Sequence, residues 1–318
     1  LCVGNIDAWL LWNLTGGDVH ATDMTNASRT QLLNLQERKW DEHLLGVFGI
    51  PRAALPKIRP SSYVYGETVA IGELPAGVPI ASMIGDSHAS LYGQGGFKTG
   101  SVKATYGTGS SLMAPTNKPI LSDKGLSTTI AWARDEVVYA LEGNIYVAGA
   151  AVDWLGRLLG FDDPGPAIEN LARQVEGASG VYFVPALVGL GAPYWKDSVQ
   201  GLITGLTPNV GAGELARATL DAIAYQVRDV YDQMQDESTT SLDVLLADGG
   251  AARNDLLMQF QADILGCPVL RSTSTDISPL GAAFLAGLVV GLWSDDGVVE
   301  EMTPSRDRFE PQMPAQQR

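Results

Sequence analysis

Leu242-Asp243-Val244-Leu245-Leu246-Ala247-Asp248-Gly249-Gly250-Ala251-Ala252-Arg253-Asn254 is the stretch that decides the fold. Its apolar run from Leu242 to Ala247 reads as a strand, Asp248-Gly249-Gly250 as the turn that ends it, and the residues from Asn254 to Leu265 as a helix. A strand at Val269 to Arg271 and a helix from Pro279 to Trp293 repeat the alternation, which argues for an α/β domain with helices covering a sheet. A strand, a glycine turn and a helix together make a unit that admits a nucleotide. It is not the Walker A pattern, because no Gly-Lys-Ser/Thr follows Gly250.

Upstream, strand-like segments at 101–106, 110–113, 126–133 and 137–141 predict a mixed or antiparallel portion of sheet, with further strands at 181–184 and 201–206. Helical spacing places Ile145, Ala148, Val152, Leu155 and Leu159 on one face of a helix spanning 144–159. A second such face runs from Leu215 to Met234. Nearer the start, short helices are expected from Trp9 and over 40–48, with a polar stretch at 22–29 between them and a hairpin edge around 64–69. Residues 78–84 read as a buried strand that delivers Gly85-Asp86-Ser87-His88 at its end. The glycines at 93, 95, 96 and 100 place a domain break near residue 95, giving domains 1–94 and 95–318. The polar end from Arg306 is expected to be disordered.

With 45% hydrophobic and 18% charged residues the chain can bury a large core, which excludes a disordered or collagenous polymer. Lys+Arg 21 against Asp+Glu 36 gives a net charge of −15, which repels phosphate backbones and anionic lipid. Nucleic-acid and membrane partners are therefore not expected. An anionic substrate needs a local device instead: backbone amides, helix N-termini and a metal ion. The longest apolar stretch, Phe284 to Trp293, is far short of the ~20 residues that span a bilayer. Two cysteines, Cys2 and Cys267, form no disulfide framework, and a cytoplasmic location fits them.

Asp86 stands out among single residues, since acidic groups at the C-terminal ends of strands lie where open α/β sheets build their sites. Asp also caps helices well, and position alone leaves both readings open. In Lys103-Ala104-Thr105-Tyr106-Gly107-Thr108-Gly109-Ser110-Ser111 the two glycines would let backbone amides and the Thr108 hydroxyl approach phosphate oxygens, though a plain turn explains them equally well. Gly149 lies on the predicted helix from Asn144, where it permits close approach of another group. His20, His43 and His88 are scattered and no metal-ligand spacing is present. His88 lines the Asp86 cleft on one reading and packs in the interior on the other. Ser87, Ser110 and Ser111 lack a Gly-x-Ser-x-Gly elbow, which removes hydrolase readings.

These segments, together with Thr22-Asp23 followed by Asn26-Ala27-Ser28-Arg29-Thr30, Tyr65-Gly66-Glu67-Thr68, Tyr139-Ala140-Leu141-Glu142-Gly143 and Gly189-Leu190-Gly191-Ala192-Pro193-Tyr194-Trp195, resemble the FGGY family of carbohydrate kinases. Its glycerol-phosphorylating members are the most similar. The resemblance implies an actin-like ATPase (ribonuclease H-like) fold, a mixed sheet with flanking helices, preceded by the end of a first domain of the same type. It implies ATP and Mg2+ as cofactors and a small polyol or sugar as acceptor, and it leaves self-association open. By matching position, Asp86 is the general base, Asp86, Ser87 and Ser111 meet the acceptor, and Gly107, Thr108, Gly149, Asp153, Gly250, Ala251 and Asn254 meet the nucleotide.

The sequence also departs from that pattern. The family's opening phosphate hairpin, Asp-x-Gly-Thr, does not occur in these 318 residues. The chain is thus expected to lack the N-terminal segment and to be active only with it, the alternative being an inactive nucleotide-binding or assembly subunit. Ser87 and Ser111 stand where glycerol-phosphorylating members carry Gln and Phe, and Asp153 where they carry a nucleotide-contacting Gln. The extra room implies a larger polyol or sugar, unless the first domain narrows the pocket from the other side.

Overall fold

The computed structural model describes residues 1–98, 100–274, 276–303 and 305–318. The first third is built from small pieces: α1 (Ile6–Leu14), β1 (Ala21–Asp23), α2 (Met24–Ser28), β2 (Leu33–Asn34), β3 (Lys39–Trp40), α3 (Glu42–Phe48), β4 (Lys57–Arg59), β5 (Ser62–Glu67), β6 (Pro79–Ser82) and α4 (Asp86–Gly93). Then follow β7 (Ser101–Tyr106), β8 (Ser110–Thr116), β9 (Ser127–Ala133), β10 (Val137–Ile145), α5 (Gly149–Leu158), α6 (Pro164–Ala172), β11 (Tyr182–Val184), β12 (Leu202–Thr204) and α7 (Ala212–Glu237). The chain ends with β13 (Val244–Asp248), α8 (Asp255–Leu265), β14 (Val269–Ser272), α9 (Ile277–Val289), α10 (Gly297–Met302) and β15 (Arg306–Phe309).

A seven-stranded mixed sheet in the order β15-β14-β13-β7-β8-β10-β9 is the frame. β13 runs parallel to β7 and β14, and the remaining pairs are antiparallel. Alternation along β7 sorts its side chains: Val102, Ala104 and Tyr106 enter a core with α5 to α8, while Lys103 and Thr105 take the other face. α7 supplies that core with Leu220, Ile223, Val227, Val230 and Met234 at helical spacing. On the opposite face Leu91 and Tyr92 of α4 meet Met113 of β8 and Phe284 and Leu285 of α9.

α4 and α9 approach so closely that a Cβ at Gly281 would sit 1.9 Å from the Ala89 carbonyl oxygen, and one at Gly93 would sit 2.6 Å from that of Ile277. A late helix is thereby locked onto the helix that begins at Asp86.

In the polar stretch 22–29 Asp23 is fully buried and caps α2, accepting from the Thr25 and Asn26 amides and from Ser61 Oγ. Three expectations are corrected. Residues 78–84 are not a buried strand, since β6 pairs only with β5 and Ala81 alone in it is buried. The helix predicted from Asn144 starts at Gly149, because Val137 to Ile145 continue as a strand paired with β8 as far as Ser110. The tail from Arg306 is not disordered, since β15 adds to the edge of β14 and Phe309 lies under the Arg271 guanidinium, 5.0 Å from its ring centroid.

Candidate functional site

β6 leads through Met83 and Ile84 to Gly85, which occupies the N-cap of α4. Asp86 is thus the first residue of the helix and not its cap, and its carboxylate is exposed, accepting the Ser87 amide at 2.7 Å. Its backbone oxygen accepts from Ser278 Oγ of α9 at 2.9 Å, so both helices fix its position.

A cleft of about 630 Å³ opens between this helix start and the sheet. It brings Asp86 and Ser87 together with Thr105, Asp248 and the Gly249-Gly250 turn. A cavity of about 670 Å³ elsewhere, between Asn117, Trp132 and Thr240, includes none of the candidate residues.

The glycine turns converge by main-chain contact. Gly107-Thr108-Gly109 is the tip of the β7–β8 hairpin, and its carbonyls accept from the amides of Ala148, Gly149 and Ala150 at 2.9 to 3.1 Å. A Cβ on Gly149 would lie 2.7 Å from the Gly107 oxygen and 3.8 Å from the Ala251 Cβ. Gly249 has φ +96° and leaves 2.5 Å between an added Cβ and the Tyr106 oxygen, so only glycine serves there. Asn254 follows as the N-cap of α8, its Oδ1 accepting from Leu257 N at 3.0 Å. Asp153 is exposed one turn along α5 from Gly149. Gly107, Thr108, Gly149, Asp153, Ala251 and Asn254 do not line the cleft, and neither does Ser111, which lies in register with Thr105 on the neighbouring strand.

His88 takes the interior reading. It is 3% exposed, its Nε2 lies 3.2 Å from Thr129 Oγ1, and burial first, then Arg29 and Lys103, pull its pKa down to about 3.

Sequence reading assigned no role to four polar residues at the back of this site. Asp248 Oδ2 accepts from Ser90 Oγ and from Gln94 Nε2 (2.7 Å), both presented by α4, and Lys103 is buried on the same sheet face. Asp248 ends a strand just as Asp86 follows one, so the placement rule that singled out Asp86 applied to it as well.

Family models match over both halves: the FGGY family of carbohydrate kinases, N-terminal domain, over residues 1–93, and the same family's C-terminal domain over residues 102–289. The chain belongs to the FGGY family of carbohydrate kinases. It is 49% identical over 320 residues to a glycerol kinase of Listeria welshimeri, and 49% identical over 317 residues to one of Symbiobacterium thermophilum. Each match covers 99% or more of this chain and 64% of the relative. The chain thus spans about 64% of the length of the curated relatives it matches. The crystal structure of Plasmodium falciparum glycerol kinase with ADP superimposes with a TM-score of 0.93 at 36% identity, over 99% of this chain and 64% of that one. A xylulose kinase from Lactobacillus acidophilus shares the fold, with a TM-score of 0.86 at 24% identity.

The fold is therefore that of the actin-like ATPases, as the resemblance implied. One expectation is corrected: the N-terminal domain model matches residues 1–93, so the reading that the family's N-terminal segment is absent does not stand, and sequence of both domains is present. Among the described residues no helix is long and apolar enough to cross a membrane.

Proposed function

We propose that this chain belongs to an ATP-dependent kinase that phosphorylates a hydroxyl of a small polyol, with Asp86 as general base. The observation that carries the reading is the cleft that sets the exposed Asp86 carboxylate opposite the Asp248-Gly249-Gly250 turn. Asp86 takes the proton of the acceptor hydroxyl as its oxygen bonds to the terminal phosphorus, the bond to the bridging oxygen breaks, and ADP leaves. Catalysis of this kind is mostly positioning, which suits a site fixed by two locked helices. Gly107, Thr108, Gly149, Gly250, Ala251 and Asn254, with Asp153 at the margin, would receive the nucleotide, and the relative solved with ADP supports this. A domain break near residue 95 belongs to the same reading, and family matches over 1–93 and 102–289 support it. The two free cysteines suit a cytoplasmic location.

Among the described residues no three His, Cys, Asp or Glu side chains lie together as a cation cage. Magnesium would arrive with the nucleotide and would neutralise phosphate charge during transfer.

Ser87 beside Asp86 would meet an acceptor hydroxyl. The relatives' names point to glycerol as acceptor, whereas the short side chains of Ser87 and Ser111 leave room for four or five carbons. The test is polyol-dependent ADP release by the intact gene product, with kcat/KM compared for glycerol, erythritol, ribitol, xylulose and ribulose. Release with one of these, lowered by about 10²- to 10⁴-fold in Asp86→Asn, is expected; comparable rates in the variant would remove the general-base role.

A further inference from the structure

Lys103 is 0% exposed, and its Nζ has no hydrogen-bond partner. A buried ammonium is costly to hold unless it serves a neighbouring charge. Strand alternation places Lys103 on the sheet face shared with Thr105, and Asp248 lies in register with Thr105 on β13. Burial pulls the Lys103 pKa down from its usual range, while Asp248, Asp86 and Glu142 oppose that pull, in descending order. Glu142 already pairs with Arg29, and His88, the remaining titratable group nearby, is neutral. Asp248 and Asp86 are therefore the carboxylates left to Lys103.

Asp248 Oδ1 is itself buried without a partner, and Oδ2 takes donors from Ser90 and Gln94. Those two residues lie one and two helical turns beyond Asp86 on the same helix and its cap. We propose that Lys103 is a positioning residue for phosphoryl transfer. Its ammonium compensates Asp248, so that Asp248 holds α4, which begins at Asp86, through Ser90 and Gln94. This rests on Asp86 being the base.

Lys103→Met keeps the length and removes the charge. In the intact protein kcat for polyol-dependent ADP release should fall by about 10-fold with KM for the polyol little changed, since the base at the start of α4 is displaced while the polyol contacts remain. ADP affinity, read by calorimetry, should fall several-fold, and the melting temperature should fall because Asp248 is left buried without a compensating charge. Asp248→Asn should lower kcat in the same way, because a neutral amide holds Ser90 and Gln94 less strongly than a carboxylate does. An unchanged kcat and unchanged ADP affinity in Lys103→Met would overturn the inference and leave Lys103 a packing residue. A wild-type protein with no polyol-dependent ADP release would instead defeat the kinase reading, and the ADP and melting data would still decide the role of Lys103.

Discussion

On one bank main chain touches main chain: the Gly249-Gly250 turn lines the cleft, and next to it the Gly107-Thr108-Gly109 tip and the start of α5 at Gly149 meet where a single added carbon would strike a carbonyl. On the other bank, around Asp86, side chains do the joining. Ser278 holds the Asp86 carbonyl, Thr25 Oγ1 accepts the Gly85 amide, and Ser90 and Gln94 reach across to Asp248. The difference teaches where each bank is vulnerable. Steric change breaks the first, and change of charge or hydrogen bonding breaks the second.

The largest effect should come from Gly109→Ala, whose new Cβ would sit 2.3 Å from the Ile145 oxygen and 3.0 Å from that of Tyr146, with no side chain free to yield. Destabilisation of about 3 kcal/mol in urea unfolding is expected, with loss of ADP binding. A fully stable variant would mean that the glycine bank is less tightly joined than its geometry requires.

Next is the pH dependence under the Asp86 bank. His88 takes a proton near pH 6.5 when unfolded but only near 3 when folded, so it costs nothing above 6.5 and destabilises progressively as pH falls between those values. One such group lowers stability by about 2 kcal/mol at pH 5 relative to pH 7.5. His88→Gln should flatten that part of the profile, and an unchanged slope would assign it to other groups.

Asn254→Ala joins the two concerns, since it removes the cap of α8 and one of the side chains proposed to receive the nucleotide. A loss of about 1 kcal/mol in stability is expected, together with weaker ADP binding by calorimetry. Asp153→Ala is the smallest case: its side chain is exposed, so stability should change by under about 0.5 kcal/mol, and only ADP affinity would report its contact.

The same contrast explains what could be read in advance. The glycine bank was legible because Gly107, Gly109, Gly149 and Gly250 announce turns and close approaches by residue type alone, and the strands at Val244 and Val269 alternate clearly with helices. The Asp86 bank was legible only as one acidic residue after an apolar run. Its supports depend on α9 returning onto α4, a contact across nearly two hundred residues that no local pattern carries. Lys103 went unread for a similar reason: a lysine in a strand reads as solvent-facing until both faces of the sheet are seen to be covered. β15 was missed because an edge strand needs one partner and little apolar content, so Arg306 to Phe309 resembled a polar tail.

The most direct test of the account is to measure binding and turnover side by side in Asp86→Asn. If one bank holds the nucleotide and the other performs the proton transfer, calorimetry should show ADP bound at least as tightly as in the wild type. Polyol-dependent ADP release should at the same time fall by about 10²-fold or more. Loss of ADP binding in step with turnover would contradict that division of the cleft, and so would turnover that survives the substitution.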